Sequence, residues 1–229
     1  MSRYVLFACL GAALMPGGRA VHADAVLLLI DATFGSTENT GSRATVTLDF
    51  SEDGLDDLLA VTLENTTPAE IGSSLTAVGL ELPDSLSLAV SFAPGGEGSY
   101  FDTLTFDDSI SPGWLDAPVG YDVMLTSDGH FEGGGSAGAP TEGESETVVL
   151  TLGDTGWSPS ELAAAFAGYY ADLTGDYVVG RFHAVGPDGE DSDKVGGRVP
   201  EPGSLVLLGL GALGLLHRKG RRRSGLPAD

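Results

Sequence analysis

Ala44-Thr45-Val46-Thr47-Leu48-Asp49-Phe50 alternates apolar and polar residues, and Leu58–Glu64 repeats the pattern with Leu59, Val61 and Leu63 on one face. That period of two is the signature of a half-buried β-strand. Ser51-Glu52-Asp53-Gly54 between them has turn chemistry, with glycine available for positive φ, and Asn65-Thr66-Thr67-Pro68 closes the pair. Two adjacent alternating strands joined by a short turn predict an antiparallel hairpin, and the rest of the chain is read outward from it.

Upstream, Ala25–Phe34 reads as a mostly apolar first strand. Downstream, Leu75–Leu82 and Leu86–Phe92 read as a second strand pair around Pro83-Asp84-Ser85, followed by an irregular, acidic, Gly-rich region from Ala93 to Gly120. Tyr121–Thr126, Thr147–Leu152 and Tyr177–Val185 complete the strands, and Gly129 to Glu146 reads as a loop with six glycines. One helix is expected over roughly 159–173. Ser158-Pro159-Ser160-Glu161 is a capping box with proline at the first helical position. Leu162, Phe166 and Tyr169 or Tyr170 supply an apolar face, and Gly175 stops it. About eight short strands with Gly, Pro, Asn and Asp turns predict a mainly β protein, an antiparallel β-sandwich over residues 24–185 with one short helix. Gly186 to Arg198, rich in Gly and Asp, reads as a polar spacer over residues 186–198.

Both ends read as targeting segments. Arg3 precedes an apolar stretch from Tyr4 to Met15, Pro16-Gly17-Gly18 breaks it, and Val21-His22-Ala23 places small residues at −3 and −1. Residues 1–23 therefore read as a secretory signal peptide cut after Ala23, with a second small-residue site at Ala25. At the other end stand Val199, Pro200, Glu201 and Pro202, then an uncharged run from Ser204 to Leu216, then Arg218, Lys219, Arg221, Arg222 and Arg223. The prolines hold the motif extended and remove two backbone donors. The run has 13 residues, or roughly 20 Å of helix against a bilayer core of about 30 Å. It spans with local thinning or with its basic flank snorkelling, and that flank stays cytoplasmic.

Residues 199–229 resemble the PEP-CTERM sorting signal of Gram-negative bacteria, which joins a Pro-Glu-Pro motif, a hydrophobic helix and an Arg-rich end in that order. The resemblance implies recognition by an exosortase, a membrane-embedded cysteine peptidase or transpeptidase. It also implies removal of the tail and transfer of the body from the inner membrane to the cell surface or the extracellular polysaccharide. Two features depart from the pattern: the apolar run is short, and Ser224 to Asp229 follow the basic cluster. Two stretches of the body also resemble ectodomains that bear this tail: Asn65-Thr66-Thr67 with Ile71 to Pro83, and Gly180 to Lys194. They imply membership in a group of surface proteins and no activity.

The body is strongly acidic. Residues 24–199 hold 31 acidic residues against four basic ones, Arg43, Arg181, Lys194 and Arg198, a net of −27. Such a surface repels nucleic acid and anionic membranes. The one cysteine, Cys9, lies in the signal peptide, so the body has neither disulfides nor thiol chemistry.

Few residues suggest chemistry. Gly134-Gly135-Ser136-Ala137-Gly138 fits G-x-S-x-G, with Asp154 or Asp172 and His183 following in order, but loop-like sequence flanks it where a nucleophile elbow needs a strand and a helix. Gly209 to Gly214 fits a dinucleotide pattern but lies within the membrane run. His130 and His183 lack zinc spacing, and alternation makes His183 a structural residue. Asp188, Glu190, Asp191 and Asp193 pack four carboxylates beside a turn, a donor set for Ca²⁺ without EF-hand spacing. Trp114, Trp157, Tyr100, Tyr169 and Tyr170 are available for carbohydrate stacking. The expectation is a non-enzymatic surface or exopolysaccharide-matrix protein. A glycan- or calcium-binding module and a secreted serine hydrolase are the alternatives.

Overall fold

The computed structural model describes residues 25–83, 86, 88–93, 99–105, 121–127, 135–172 and 178–199. Within these residues the chain runs β1 (Ala25–Asp31), a 3-10 turn (Ala32–Phe34), β2 (Arg43–Asp53), β3 (Asp56–Asn65), β4 (Ser74–Leu80), β5 (Ser91–Phe92) and β6 (Thr103–Thr105). It continues with β7 (Val123–Thr126), β8 (Ser145–Gly153), α1 (Pro159–Asp172), β9 (Val178–Val185) and β10 (Asp191–Arg198).

The alternating pair forms the hairpin its pattern predicts. β2 and β3 pair antiparallel from Ala44↔Asn65 to Asp53↔Asp56, so at the turn β2 runs three residues past Phe50 and β3 starts two residues before Leu58. The turn is therefore Gly54-Leu55, with Gly54 at φ +72°, a backbone state open to glycine at no steric cost. The apolar sides of both strands, Val46, Leu48 and Phe50 against Leu59, Val61 and Leu63, are buried.

The protein is mainly antiparallel β with one helix. The strands expected as a sandwich are hydrogen-bonded as one ten-stranded sheet in the order β5-β8-β3-β2-β1-β10-β9-β4-β7-β6. The sheet curls, nearly closed like a barrel, so that its inner side chains share one core, from Leu28 and Leu48 to Leu150 and Phe182. The helix spans Pro159–Asp172, and the Glu161 side chain accepts from Ser158 N–H (2.8 Å) and Ser158 Oγ–H (2.7 Å), the reciprocal half of the capping box. Leu162, Phe166 and Tyr170 are the buried face. The Phe166 ring lies 4.9 Å from that of Phe50, and the Tyr170 hydroxyl donates to the Glu81 carbonyl (2.6 Å) just past β4.

Three readings are corrected. Residues 186–198 are not a spacer: Asp191–Arg198 is β10, an interior strand between β1 and β9. Leu86–Phe92 does not pair with β4. It runs along β8, with Ala89 N–H donating to Leu152 O (3.2 Å) and only Ser91 and Phe92 in the ladder. Leu86, Leu88, Val90 and Phe92 do pack on the core, so the period was real and the partner was not. Third, the region after Ala93 contains a further strand, β6, on the edge beside β7.

β10 escaped notice because its inward positions are Asp193, Val195 and Gly197, of which one alone is apolar and bulky. Gly197 is there for space. A Cβ at this position would stand 2.4 Å from Leu29 O, 2.6 Å from Val178 Cγ1 and 2.9 Å from Ile30 Cγ1. We expect Gly197→Ala to destabilise the body by about 1–3 kcal/mol or more, since backbone on one side and packed branched side chains on the other cannot both retreat. Urea unfolding of the variant beside Gly135→Ala, where a Cβ meets nothing within 4 Å, reads this directly.

Candidate functional site

The most densely bonded side chain of the described residues is Asp193, inward-facing on β10 and 1% exposed. Its carboxylate accepts seven hydrogen bonds from the segment Ser36–Thr40. Ser36 Oγ–H reaches both oxygens (2.8 Å each), and Thr37 donates from N–H (3.1 Å) and Oγ (3.0 Å). Glu38 N–H (3.2 Å), Thr40 N–H (3.0 Å) and Thr40 Oγ–H (2.7 Å) complete the set. Burial pushes the carboxyl pKa up, but the donors of Thr40, Ser36 and Glu38 outweigh it and hold the group below its ordinary 3.8.

This contact is built by a break in β1. The strand stops at Asp31, whose side chain caps the 3-10 turn by accepting from Thr33 N–H. The chain then returns to β10, where Ser36 bridges Val195 and Gly196 N–H donates to Gly35 O (2.9 Å). Arg198, the last residue of β10, lies with its guanidinium 5.6 Å from the centre of the Phe34 ring.

A second cluster continues the first. Thr40 Oγ lies 2.9 Å from Ser42 Oγ, and the next residue, Arg43, donates its N–H to Thr67 Oγ (3.0 Å). Ser73 Oγ–H donates to Thr67 Oγ (2.9 Å), and fully buried Asn65 donates from Nδ2 to Ser73 O (3.1 Å) and Pro140 O (3.1 Å). Ser73 N–H also donates to Glu142. The stretch from Asn65 to Ser73 thus ties the end of β3, the start of β4 and the loop before β8 into one corner.

The four carboxylates of the acidic turn do not converge in the structure. Asp193 points inward and its oxygens are taken up by hydroxyl and amide donors, while Asp188, Glu190 and Asp191 are exposed on the turn. Among the described residues, no three Asp, Glu, His or Cys side chains stand close enough to hold a metal ion. Ser136 lies in a turn where its carbonyl accepts from Ala139 N–H (3.2 Å), with no helix leaving it. Asp154 accepts from Gly156 N–H (3.1 Å). His183 is half-buried on β9, its pKa lowered by burial and then by Arg181 nearby. His130, Trp114, Ala23 and residues 200–229, including Pro200, Glu201, Pro202 and the basic cluster, lie outside the described residues.

Register fixes where the termini stand. Ala25 pairs with Asp49, near the β2–β3 turn, and Leu29 pairs with Arg198. β1 therefore enters and β10 leaves at the same end of the sheet, the end that also carries the Gly54-Leu55 turn and the start of β9 and α1. Val199 is half-buried and packs on the core, so the fold continues to the residue before Pro200. A family model, the PEP-CTERM protein-sorting motif, matches residues 198–223. The chain carries a PEP-CTERM sorting motif. It marks an exported precursor that an exosortase sorts to the surface. No curated protein and no solved structure was found to match the chain. The PEP-CTERM motif thus begins on the last residue of an interior strand. Sequence reasoning placed the motif and missed what precedes it, because an inward aspartate counts as polar in any alternation test. Among the described residues no helix is long and apolar enough to cross a membrane.

The sign of the Asp193 contribution follows from its lowered pKa. Its stabilisation is fully present above the unfolded-state pKa of about 3.9 and is lost as pH falls through the lower folded value. We expect Asp193→Ala to cost on the order of 3 kcal/mol at neutral pH, from six stranded donors. The gap between wild type and variant should narrow below about pH 4. Denaturant melts of both proteins between pH 2.5 and 7 check the size and the convergence together.

Proposed function

We propose that the chain is made as a precursor held at both ends and released as a matrix-associated surface domain. The observation that carries this reading is the sorting motif at residues 198–223, directly after the last strand. Residues 1–23 direct export and are cut after Ala23. The apolar run from Ser204 to Leu216 holds the precursor in the inner membrane, and Arg218, Lys219, Arg221, Arg222 and Arg223 stay on the cytoplasmic side. An exosortase then acts at Val199-Pro200-Glu201-Pro202 and frees the body for the cell surface or the extracellular polysaccharide of a Gram-negative host.

Physical chemistry supports the position of the motif. Pro200 and Pro202 lack the N–H that a further rung of the β10 ladder would require, so the motif resists joining the sheet and remains available to a protease cleft. Glu201 is the charged side chain between them and the natural handle for recognition. The role we assign to the body is structural and non-enzymatic. Its loop-borne Ser136 supports no rival mechanism.

Replacing Pro200-Glu201-Pro202 by alanines should leave full-length precursor in the inner membrane and the melting temperature of the body unchanged. Mass spectrometry of the wild-type surface fraction should find a C-terminus near Pro200–Gly203. A mature chain still reading through Arg223 overturns the reading and makes the tail a permanent anchor.

A further inference from the structure

We propose that the recess between the β2–β3 turn and the start of α1 binds a polysaccharide whose sugar rings carry free ammonium groups. The recess has a volume of about 260 Å³, and Leu55, Trp157, Glu52, Asp56 and Asp154 line it. Leu55 is 82% exposed and Trp157 is 45% exposed. They are two of the three large hydrophobic side chains exposed among the described residues, and they share one concavity.

Neither is needed by the fold at that exposure. A two-residue hairpin turn asks for glycine at Gly54 and for nothing apolar beside it. Trp157 precedes the N-cap Ser158, the place from which a side chain commonly packs on the fourth helical residue, here the buried Leu162. Even so, nearly half of Trp157 stays open and lines the recess. The walls are also rigid. Asp57, buried at the base of the hairpin, accepts from Thr155 N–H (2.9 Å) and Thr155 Oγ–H (2.5 Å). Trp157 N–H in turn donates to Thr155 Oγ (3.2 Å). Hairpin and helix start are thus bolted together before any ligand arrives, which spares a ligand the cost of ordering them.

The chemistry selects the occupant. An indole face and a leucine offer an apolar platform with attraction for cations. Carboxylates approach from two segments, Glu52 and Asp56 on the hairpin and Asp154 on the loop, and exclude an anionic or neutral lipid-like guest. The volume lies below the range of about 300–1,000 Å³ that encloses a whole drug-sized ligand. It suits one ring of a chain that continues into solvent. A pyranose with ammonium and hydroxyl groups around its rim meets acceptors on several sides, whereas a guanidinium directs its donors through one fork.

The test uses the full chain purified in a neutral detergent, so processing of the tail plays no part, and failure here leaves the sorting reading standing. The probes are a β-linked glucosamine hexamer, its fully N-acetylated counterpart and a hexa-arginine peptide, titrated by calorimetry. Binding of the glucosamine hexamer should weaken about tenfold in Trp157→Ala and in the double variant Glu52→Gln/Asp56→Asn. It should also fall as salt rises, and the acetylated hexamer should bind at least tenfold more weakly. Leu55→Ser, at a turn position that contributes nothing to the core, keeps the test independent of folding and should weaken binding severalfold. Three results overturn the proposal: no glucosamine binding, binding unaffected by both Trp157→Ala and Leu55→Ser, or hexa-arginine binding equal to that of the sugar.

Discussion

A carboxylate almost wholly removed from water must find donors or lose its charge. Asp193 finds six, all from four residues of one short segment, Ser36, Thr37, Glu38 and Thr40. Backbone contacts with β10 add to these bonds, since Ser36 bridges Val195 and Thr37 N–H also donates to Lys194 O (3.1 Å). The segment is short, polar and irregular, and it leaves β1 through a 3-10 turn instead of a hairpin. The carboxylate gives it a fixed path across β10. In return the segment covers β10 where β1 has already turned away, so the two account for each other. Remove the charge and the donors of Ser36–Thr40 face a buried, empty site; remove the segment and β10 carries an unpaired anion in its interior.

The same polar chain sets the character of one end of the sheet. From Asp193 it passes through Thr40, Ser42, Thr67 and Ser73 to Asn65, drawing in backbone groups of Arg43 and Pro140. A fully satisfied network of this kind fixes geometry more than it adds net stability. The opposite end is closed by apolar contact, with Phe166 and Tyr170 of α1 against Phe50 and the chain after β4. The two ends therefore differ in kind. One is locked by directional bonds; the other is capped by a helix and carries both chain exits and the Trp157 recess.

The elements legible in the sequence are those whose signal is local. The β2–β3 alternation and the capping box at Ser158 gave a hairpin and a helix within a few residues of their bounds. The sorting motif was legible for the same reason, since its three parts are contiguous. Pairings were less so. Leu86–Phe92 kept its period but chose β8 over β4, because a period reports a buried face and not the neighbour on either side. β10 was illegible since its inward row is an aspartate, a valine and a glycine. Each is explained by a distant residue: Ser36 and Thr40 for the aspartate, Leu29 and Val178 for the glycine. The grouping of Leu55 with Trp157 was hidden likewise, as about a hundred residues separate them.

The position of β10 constrains how the precursor matures. Leu29 pairs with Arg198, 169 positions later in the chain. Closing so long a loop is among the slower events available to a single domain. The sheet therefore cannot be completed until the segment just before the PEP-CTERM motif has crossed the membrane. A cut within β10 would take residues out of an interior strand, and one before Asp193 would leave the donors of Ser36–Thr40 facing an empty site. A cut within or beyond Pro200 removes no residue of β10, and Pro200 and Pro202 lack the N–H that a further rung of its ladder would require. The fold thus tolerates processing on one side of a boundary a single residue wide, Val199, and of the motif that begins on Arg198 the Pro200-Glu201-Pro202 part lies on the permitted side.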